Sequence, residues 1–400
     1  MNKKLRAMAE LLVVAICTIA FALTIVGILA SVLGRGAAGN RDFVEYWASG
    51  HLLVHHADPY DVHLIAPLEQ SQGFPREIAA LVMPNPPWSL PLMAPLGLLG
   101  AKTAELLWIA LSLACLIASV RMVWRLHGSP KTSLNVLGYT FAPALSCLFS
   151  GQVAIFVLFG FVLFLRLHRT RPLLAGISLW LCMLKPHLFL PFGMVLFLWV
   201  ILTRSYRILV GTVVALGAST MIAMSLDPMV WHHYSEMMRT ARVDRLSIPC
   251  WSIVLRQTIW PHTAAVQFLP IAVGCIWALI YFRRHRSEWN WLEDSSLLML
   301  VSLLLAPYTW LMDQTVLLPA LLHGIYLTRS RNLKAVLALA GAVIEIGVLL
   351  GLALLHSNFF LWTSPAWLVW YLLATRTSQV MSWNEPPPRD QGAAMTTKNA

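Results

Sequence analysis

Apolar runs of roughly 16 to 25 residues recur along this chain, with short connectors of Arg and Lys between them, and a run of that length is what a helix needs to cross a bilayer. In hydrocarbon every backbone N–H and C=O must be paired within the protein, so these runs are predicted to be helices. No alternating pattern of about ten residues competes as a barrel strand. Composition agrees, because 58% of the 400 residues are hydrophobic and only 12% are charged, against about 25% charged in an ordinary soluble domain. The sequence therefore specifies an all-α polytopic membrane protein.

The formal net charge of +11 does not form a nucleic-acid footprint, since Lys and Arg are scattered in small groups at the ends of apolar runs. Those groups are Lys3 to Arg6, Arg121/Arg125/Lys131, Arg166/Arg169/Arg171, Arg204/Arg207, Arg283/Arg284/Arg286, Arg329/Arg331/Lys334 and Arg376. Short cytoplasmic loops collect such residues, so the spans between them are expected in out-and-back pairs. Six pairs give a bundle of about twelve transmembrane helices with both termini cytoplasmic, in a bacterial-type inner membrane. The first apolar run, residues 8–33, exceeds the 7 to 15 residues of a cleavable signal and reads as an uncleaved span.

One transmembrane domain is expected over 1–375, with a large first outer loop at 34–102 and a second at 227–262. The polar, Pro-rich tail 376–400 reads as disordered and cytoplasmic. Further turns fall near Gly151-Gln152, Lys185-Pro186-His187, Trp310 to Asp313 and His356-Ser357-Asn358. The stretch Pro84-Asn85-Pro86-Pro87-Trp88, followed by Pro91 and Pro95, is too rich in proline for a regular span and predicts a broken, interfacial or re-entrant element. The six cysteines show no Cys-x-x-Cys metal spacing.

Candidate chemistry collects in the polar stretches. Asp42 follows the first span closely enough to meet a lipid head group and suits general-base work on an acceptor hydroxyl; the plainer reading is a solvated or helix-capping carboxylate. His55, His56, Asp58, Asp61 and His63 could ligate a divalent metal, but their spacing matches no tight ligand pattern. A turn in which Asp61 starts a short helix is preferred, and no metal or cofactor is expected. Lys185, in or beside an apolar helix, needs a partner such as a lipid phosphate, or must snorkel to the interface. The second loop supplies His232, His233, Glu236, Arg239, Arg242, Asp244, Arg245 and Arg256, and outward arginines favour anion binding. Asp313 and Gln314 mark the fifth outer turn.

Read together, Asp42-Phe43-x-x-Tyr46, Asp58-Pro59-Tyr60-Asp61, Pro86-Pro87 through Pro95-Leu96, Gly151-Gln152, Lys185-Pro186 and Ala306-Pro307-Tyr308-x-Trp310 occur in an order that resembles glycosyltransferase family 87 over roughly residues 41–327. The resemblance implies a GT-C-like fold and a metal-independent, inverting transfer from a polyprenyl-phosphate sugar donor to a lipid or glycan acceptor on the outer face. It also implies Asp42 as base and places Lys185 beside the donor phosphate, with His187, Tyr46, Arg239, Arg242 and Asp313 as further substrate-binding candidates. Mannose is the implied sugar. Where relatives carry histidines after the Pro-x-x-Trp element, this chain has Leu311-Met312-Asp313-Gln314, so an arabinofuranose donor stays open. The rival reading is a transporter or lipid-linked-sugar flippase, which predicts matched charged or broken helices in two halves. None is visible, and a transporter gives no reason for so long a first loop.

Overall fold

The computed structural model describes residues 3–34, 42–77, 79–240, 248–328, 330–351 and 358–383, and every regular element among them is helical. The first helix, α1 (Lys3–Leu33), begins ahead of the apolar run because Lys3, Lys4 and Arg6 are good helix formers and join it. The stretch expected as a water-compatible loop is instead largely helical where described, with α2 (Phe43–Val54), α3 (Val62–Ser71) and α4 (Leu90–Gly97). Residues Phe43 to Gly50 of α2 are all buried.

Two glycines permit that burial. A Cβ on Gly50 would lie 2.3 Å from the carbonyl oxygen of Met93, and one on Gly97 would lie 2.3 Å from the Gly50 carbonyl. Backbones of α2 and α4 therefore touch directly, as only glycine allows. His51 Nδ1 lies 3.0 Å from the Gly97 carbonyl, and Trp47 Nε1 donates to Leu99 at 3.0 Å, so the pair is also fixed by hydrogen bonds. Between α2 and α3, the Asp58 carboxylate accepts from Tyr60 N–H at 2.8 Å and Asp61 accepts from His63 N–H at 2.8 Å. Both are turn and cap bonds, as the preferred reading of Asp58-Pro59-Tyr60-Asp61 expects.

The bundle continues through α5 (Ala101–Leu126), α6 (Val136–Tyr139), α7 (Ala142–Ser150), α8 (Ala154–Leu167), α9 (Pro172–Cys182), α10 (Leu190–Thr203) and α11 (Arg207–Leu226). Next come α12 (Val230–Thr240) and α13 (Trp251–Ile259) in the second expected outer loop. The chain closes with α14 (Leu269–His285), α15 (Trp291–Leu304), α16 (Leu318–Leu327), α17 (Arg331–Leu350) and α18 (Thr363–Trp383). Helix α18 continues past Arg376 to Trp383, so regular structure extends beyond the expected start of the tail; residues 384–400 lie outside the described ones, as does most of the expected turn at 356–358.

Among the described residues six helical stretches are long and apolar enough to cross a membrane: Lys3–Ala30, Ala101–Leu126, Pro186–Thr203, Arg207–Leu226, Ala264–His285 and Arg331–Leu350. Ala154–Leu167, Pro172–Cys182 and Leu311–Leu327 are apolar but shorter. The proline element explains one of these short helices. Residues 79–86 are not helical, Pro87–Ser89 is a single 3₁₀ turn, and α4 follows. Asn85 Nδ2 donates to Leu184 O and Trp88 Nε1 to Met183 O, each at 2.7 Å. The carbonyls just past the end of α9 are thereby paired by side chains, and the helix can stop inside the protein just before Lys185.

Several of the basic connectors lie a helix length away from the polar turns. Helix α8 leads away from the Gly151 turn toward Arg166, α10 leads from Lys185 toward Arg204, and α14 ends in Arg283 and Arg284. Glu105 and Glu345 are buried within spans, and the Glu345 carboxylate accepts from the Ala142 N–H at the start of α7. This carboxyl oxygen pairs an N–H that the first turn of α7 leaves without a helical partner, so it has a capping role.

Candidate functional site

The polar turns meet in one hydrogen-bonded cluster. It begins at Gly151, which ends α7 with φ +79 and whose Cβ, if present, would lie 2.7 Å from Phe43 Cβ. Both the left-handed backbone and the close approach require glycine. Trp108 of α5 holds the turn by donating Nε1–H to the Gly151 carbonyl at 2.7 Å, and it stacks on Tyr46 with ring centroids 5.6 Å apart. The start of α2 is thus pressed against the α7–α8 turn, which brings Gln152 to Asp42 and Tyr46.

Gln152 is the hub. Its Nε2 donates to Asp42 Oδ2 at 2.9 Å, while its Oε1 accepts from Tyr46 OH at 2.7 Å and from Lys185 Nζ at 3.3 Å. Lys185 Nζ also donates to Asp313 Oδ1 at 2.6 Å. The second Asp313 oxygen accepts from the Trp310 N–H at 2.9 Å, so this carboxylate, 1% exposed, is satisfied on both sides. Asp42, Tyr46, Lys185 and Asp313 were all candidates from the sequence, and the fold joins them through a residue that was not among them.

Asp42 occupies the N-cap position of α2 but makes no side-chain capping bond. Its carboxylate is therefore directed to Gln152 rather than spent on the helix, and the plain capping reading fails. Burial, with Glu45 and Asp42 beside it, raises the Tyr46 phenol well above its ordinary range, so Tyr46 stays a neutral donor. Glu45 is itself buried next to Asp42, and burial followed by the Asp42 charge pushes its carboxyl up to about 8. At neutral pH Glu45 is then a neutral acid beside Asp42.

His187 lies two residues beyond Lys185, its ring stacked on Tyr308 at 3.7 Å. Its Nε2 is buried with no hydrogen-bond partner among the described residues. Tyr308 packs in turn against Ile248, Cys250 and Ile253, so the segment before α13 closes over this side of the cluster. Arg239 sits exposed in the last turn of α12, outside the cluster, and Arg242 lies outside the described residues. Of the proposed metal-type residues, Asp58 and Asp61 serve turn and cap, and His56 Nδ1 lies 2.7 Å from the Leu226 carbonyl. His233 Nδ1 lies 2.8 Å from Asp227 Oδ2 and 3.6 Å from Asp58 Oδ1, tying the two expected outer loops together. Among the described residues no group of three or more His, Cys, Asp or Glu is placed to hold a metal ion.

Gln152 and Tyr308 were visible as parts of the Gly151-Gln152 and Ala306-Pro307-Tyr308-x-Trp310 motifs, but spacing assigned neither a role. Asp42 and Gln152 are far apart in sequence, and only the Gly151 approach to Phe43 reveals their contact.

Comparison with curated proteins gives no match, and neither does comparison with solved structures. The family model for glycosyltransferase family 87 matches residues 84–307, which include Gln152, Lys185 and His187 and leave Asp42, Tyr46 and Asp313 on either side. More than half of this helical, membrane-type chain is covered by that match: it belongs to glycosyltransferase family 87 and is an enzyme that transfers sugar.

Proposed function

We propose that the chain transfers a sugar, mannose in the first instance, from a polyprenyl-phosphate donor to a lipid or glycan hydroxyl at the outer face of the membrane, with inversion. The observation that carries this reading is the single network joining Asp42 to Lys185 through Gln152. It supports a base and a cationic anchor held at fixed separation, as an in-line displacement requires. Asp42 takes the proton of the acceptor hydroxyl as its oxygen attacks the anomeric carbon. The bond from that carbon to the donor phosphate breaks, and the departing phosphate takes the bonding electrons and meets the Lys185 ammonium.

Lys185 has three N–H donors, of which Asp313 and Gln152 engage two, leaving one to the phosphate. Asp313 keeps the ammonium charged and aimed. His187 is assigned to the substrate, because its buried Nε2 has a hydrogen bond to give or accept there. Tyr46, with its hydroxyl engaged by Gln152, is assigned to positioning, Arg239 to anionic groups nearer the surface, and Arg242, outside the described residues, to anionic substrate groups. The outer-face assignment is supported by the basic connectors a helix length away from the polar turns, which belong inside. A GT-C-like bundle of about twelve spans, in an inner membrane with both termini cytoplasmic, accommodates the shorter apolar helices as tilted or protein-shielded legs.

The test is a panel of polyprenyl-phosphate sugars incubated with the purified wild-type protein and with Asp42→Asn. Loss of base catalysis is expected to cost roughly 10²- to 10⁴-fold in rate. Wild-type transfer by a correctly inserted Asp42→Asn protein would remove Asp42 from the role, and a wild-type protein that consumes no donor would remove the donor class.

A further inference from the structure

We propose that Gln152 is a positioning residue that sets the orientation and charge state of Asp42 and ties it to the phosphate-binding lysine, an inference that rests on the reading of Asp42 as base. The amide orientation follows from chemistry. An ammonium can only donate, so Lys185 Nζ at 3.3 Å must face the amide oxygen, and the Tyr46 hydroxyl at 2.7 Å meets the same atom. The amide nitrogen is then left to face Asp42 Oδ2 at 2.9 Å. The side chain cannot flip without setting its N–H groups against the ammonium.

Two consequences follow. A hydrogen bond donated to a carboxylate favours its ionised form, so Gln152 keeps Asp42 deprotonated and ready to accept a proton. The same amide spans Asp42 on one side and Lys185 on the other, so the attacking hydroxyl and the leaving phosphate are held relative to each other across the anomeric carbon. A misplacement of about 1 Å in such an arrangement costs on the order of 100-fold in rate. Gln152 itself is held by the Gly151 turn, the Tyr46 hydroxyl and the Trp108 bond to the Gly151 carbonyl.

Gln152→Glu separates this role from a merely structural one. The variant is isosteric and keeps an acceptor for Tyr46 and Lys185, but it replaces the donor facing Asp42 with an oxygen. Two carboxyl groups at hydrogen-bond distance share a proton, which raises the pKa of the pair. The full-length protein in lipid nanodiscs would be assayed with polyprenyl-phosphate mannose and a membrane-lipid extract as acceptor, recording kcat/KM against pH. The acidic limb of the profile is expected to move upward by about one pH unit or more, cutting the rate on that limb about tenfold or more, with donor KM within about threefold of wild type. Gln152→Ala is expected to lower kcat by on the order of 100-fold and to move the same limb upward.

A Gln152→Glu profile that superimposes on the wild type while Asp42→Asn is inactive overturns the Gln152 assignment alone. Wild-type rates in Asp42→Asn overturn the base reading beneath it. Should Gln152→Ala fail to elute as a folded species, the isosteric variant decides.

Discussion

Gly50→Ala probes how tightly the position of Asp42 depends on a helix contact remote from it. The added Cβ would sit 2.3 Å from the Met93 carbonyl oxygen and 2.8 Å from the Met93 carbonyl carbon, all backbone atoms of α4 that have no rotamer to escape into. Restoring ordinary contact at about 3.4 Å requires α2 and α4 to part by about 1 Å. Overpacking of this kind costs roughly 1–3 kcal/mol in stability. The larger effect is on activity. Asp42 and Tyr46 ride on the same helix, and their bonds to Gln152, at 2.9 and 2.7 Å, would stretch past hydrogen-bonding range if α2 moved by that amount. Sugar transfer is then expected to fall by on the order of 100-fold. The control is Gly217→Ala, also within a helix, where a Cβ meets nothing within 4 Å. There the backbone gains helix propensity, and stability is expected to rise by roughly 0.5–1 kcal/mol with activity unchanged. Both variants would be followed by thermal unfolding in detergent and by transfer rate. Equal rates in the two proteins would refute the coupling between the α2–α4 contact and the site.

Two further outcomes follow from the buried charges. Lys185→Met strands the Asp313 carboxylate at 1% exposure and is expected to destabilise by about 3–5 kcal/mol, whereas Lys185→Met with Asp313→Leu recovers most of that loss, both proteins being inactive; a double variant no more stable than the single one, measured by denaturant or thermal unfolding, would show that the pair is not the main compensation. Glu45→Gln copies the protonated form of an acid that lies outside the six candidate spans and whose pKa is raised from 4.5 to about 8. The native state then keeps a proton that the unfolded chain releases, so wild-type stability falls as pH rises from about 4.5 to about 8 and levels off above that. The variant is expected to lack this decline while keeping neutral-pH activity within about twofold, and a thermal midpoint that falls equally in both proteins between pH 5 and 8 sinks the assignment.

How far the fold could be read in advance differed with the kind of constraint. Long apolar helices were legible from the sequence, as the run at 8–33 within α1 shows, because length and hydropathy are properties of a contiguous stretch. The Asp58-Pro59-Tyr60-Asp61 turn was legible for the same local reason. What composition hid was the character of residues 42–97. Their polar and proline content suggested a loop in water, yet Gly50, Gly97, Asn85 and Trp88 let them pack as buried helices and a cap inside the protein. Asp42, Lys185 and Asp313 were each found from residue type and position next to an apolar run, whereas Tyr46 came only with the family resemblance. Gln152 was not assigned, since a glutamine in a turn carries no charge to explain, and its value lies entirely in partners from distant segments. The exposed placement of Arg239 was likewise undecidable from a charge in a loop.

Why the site should sit at breaks between helices follows from the energetics of the bilayer. A charged side chain in the middle of a span costs roughly 2.5–3.5 kcal/mol on insertion scales, and an open backbone there costs several more. Asp42 precedes α2, Gln152 lies between α7 and α8, Lys185 between α9 and α10, and Asp313 between α15 and α16. At each break the freed carbonyls and N–H groups find fixed partners: Trp108 for Gly151, Asn85 and Trp88 for the end of α9, Asp313 for Trp310. Those partners pin the breaks, and the pinned breaks bring the Asp42 carboxylate, the Tyr46 hydroxyl and the Lys185 ammonium within hydrogen-bond reach of a single amide. With the proposed lipid-phosphate donor, sugar transfer needs polar groups at the depth where the carrier phosphate resides. A bundle whose helices stop short in concert supplies them without placing an uncompensated charge in hydrocarbon.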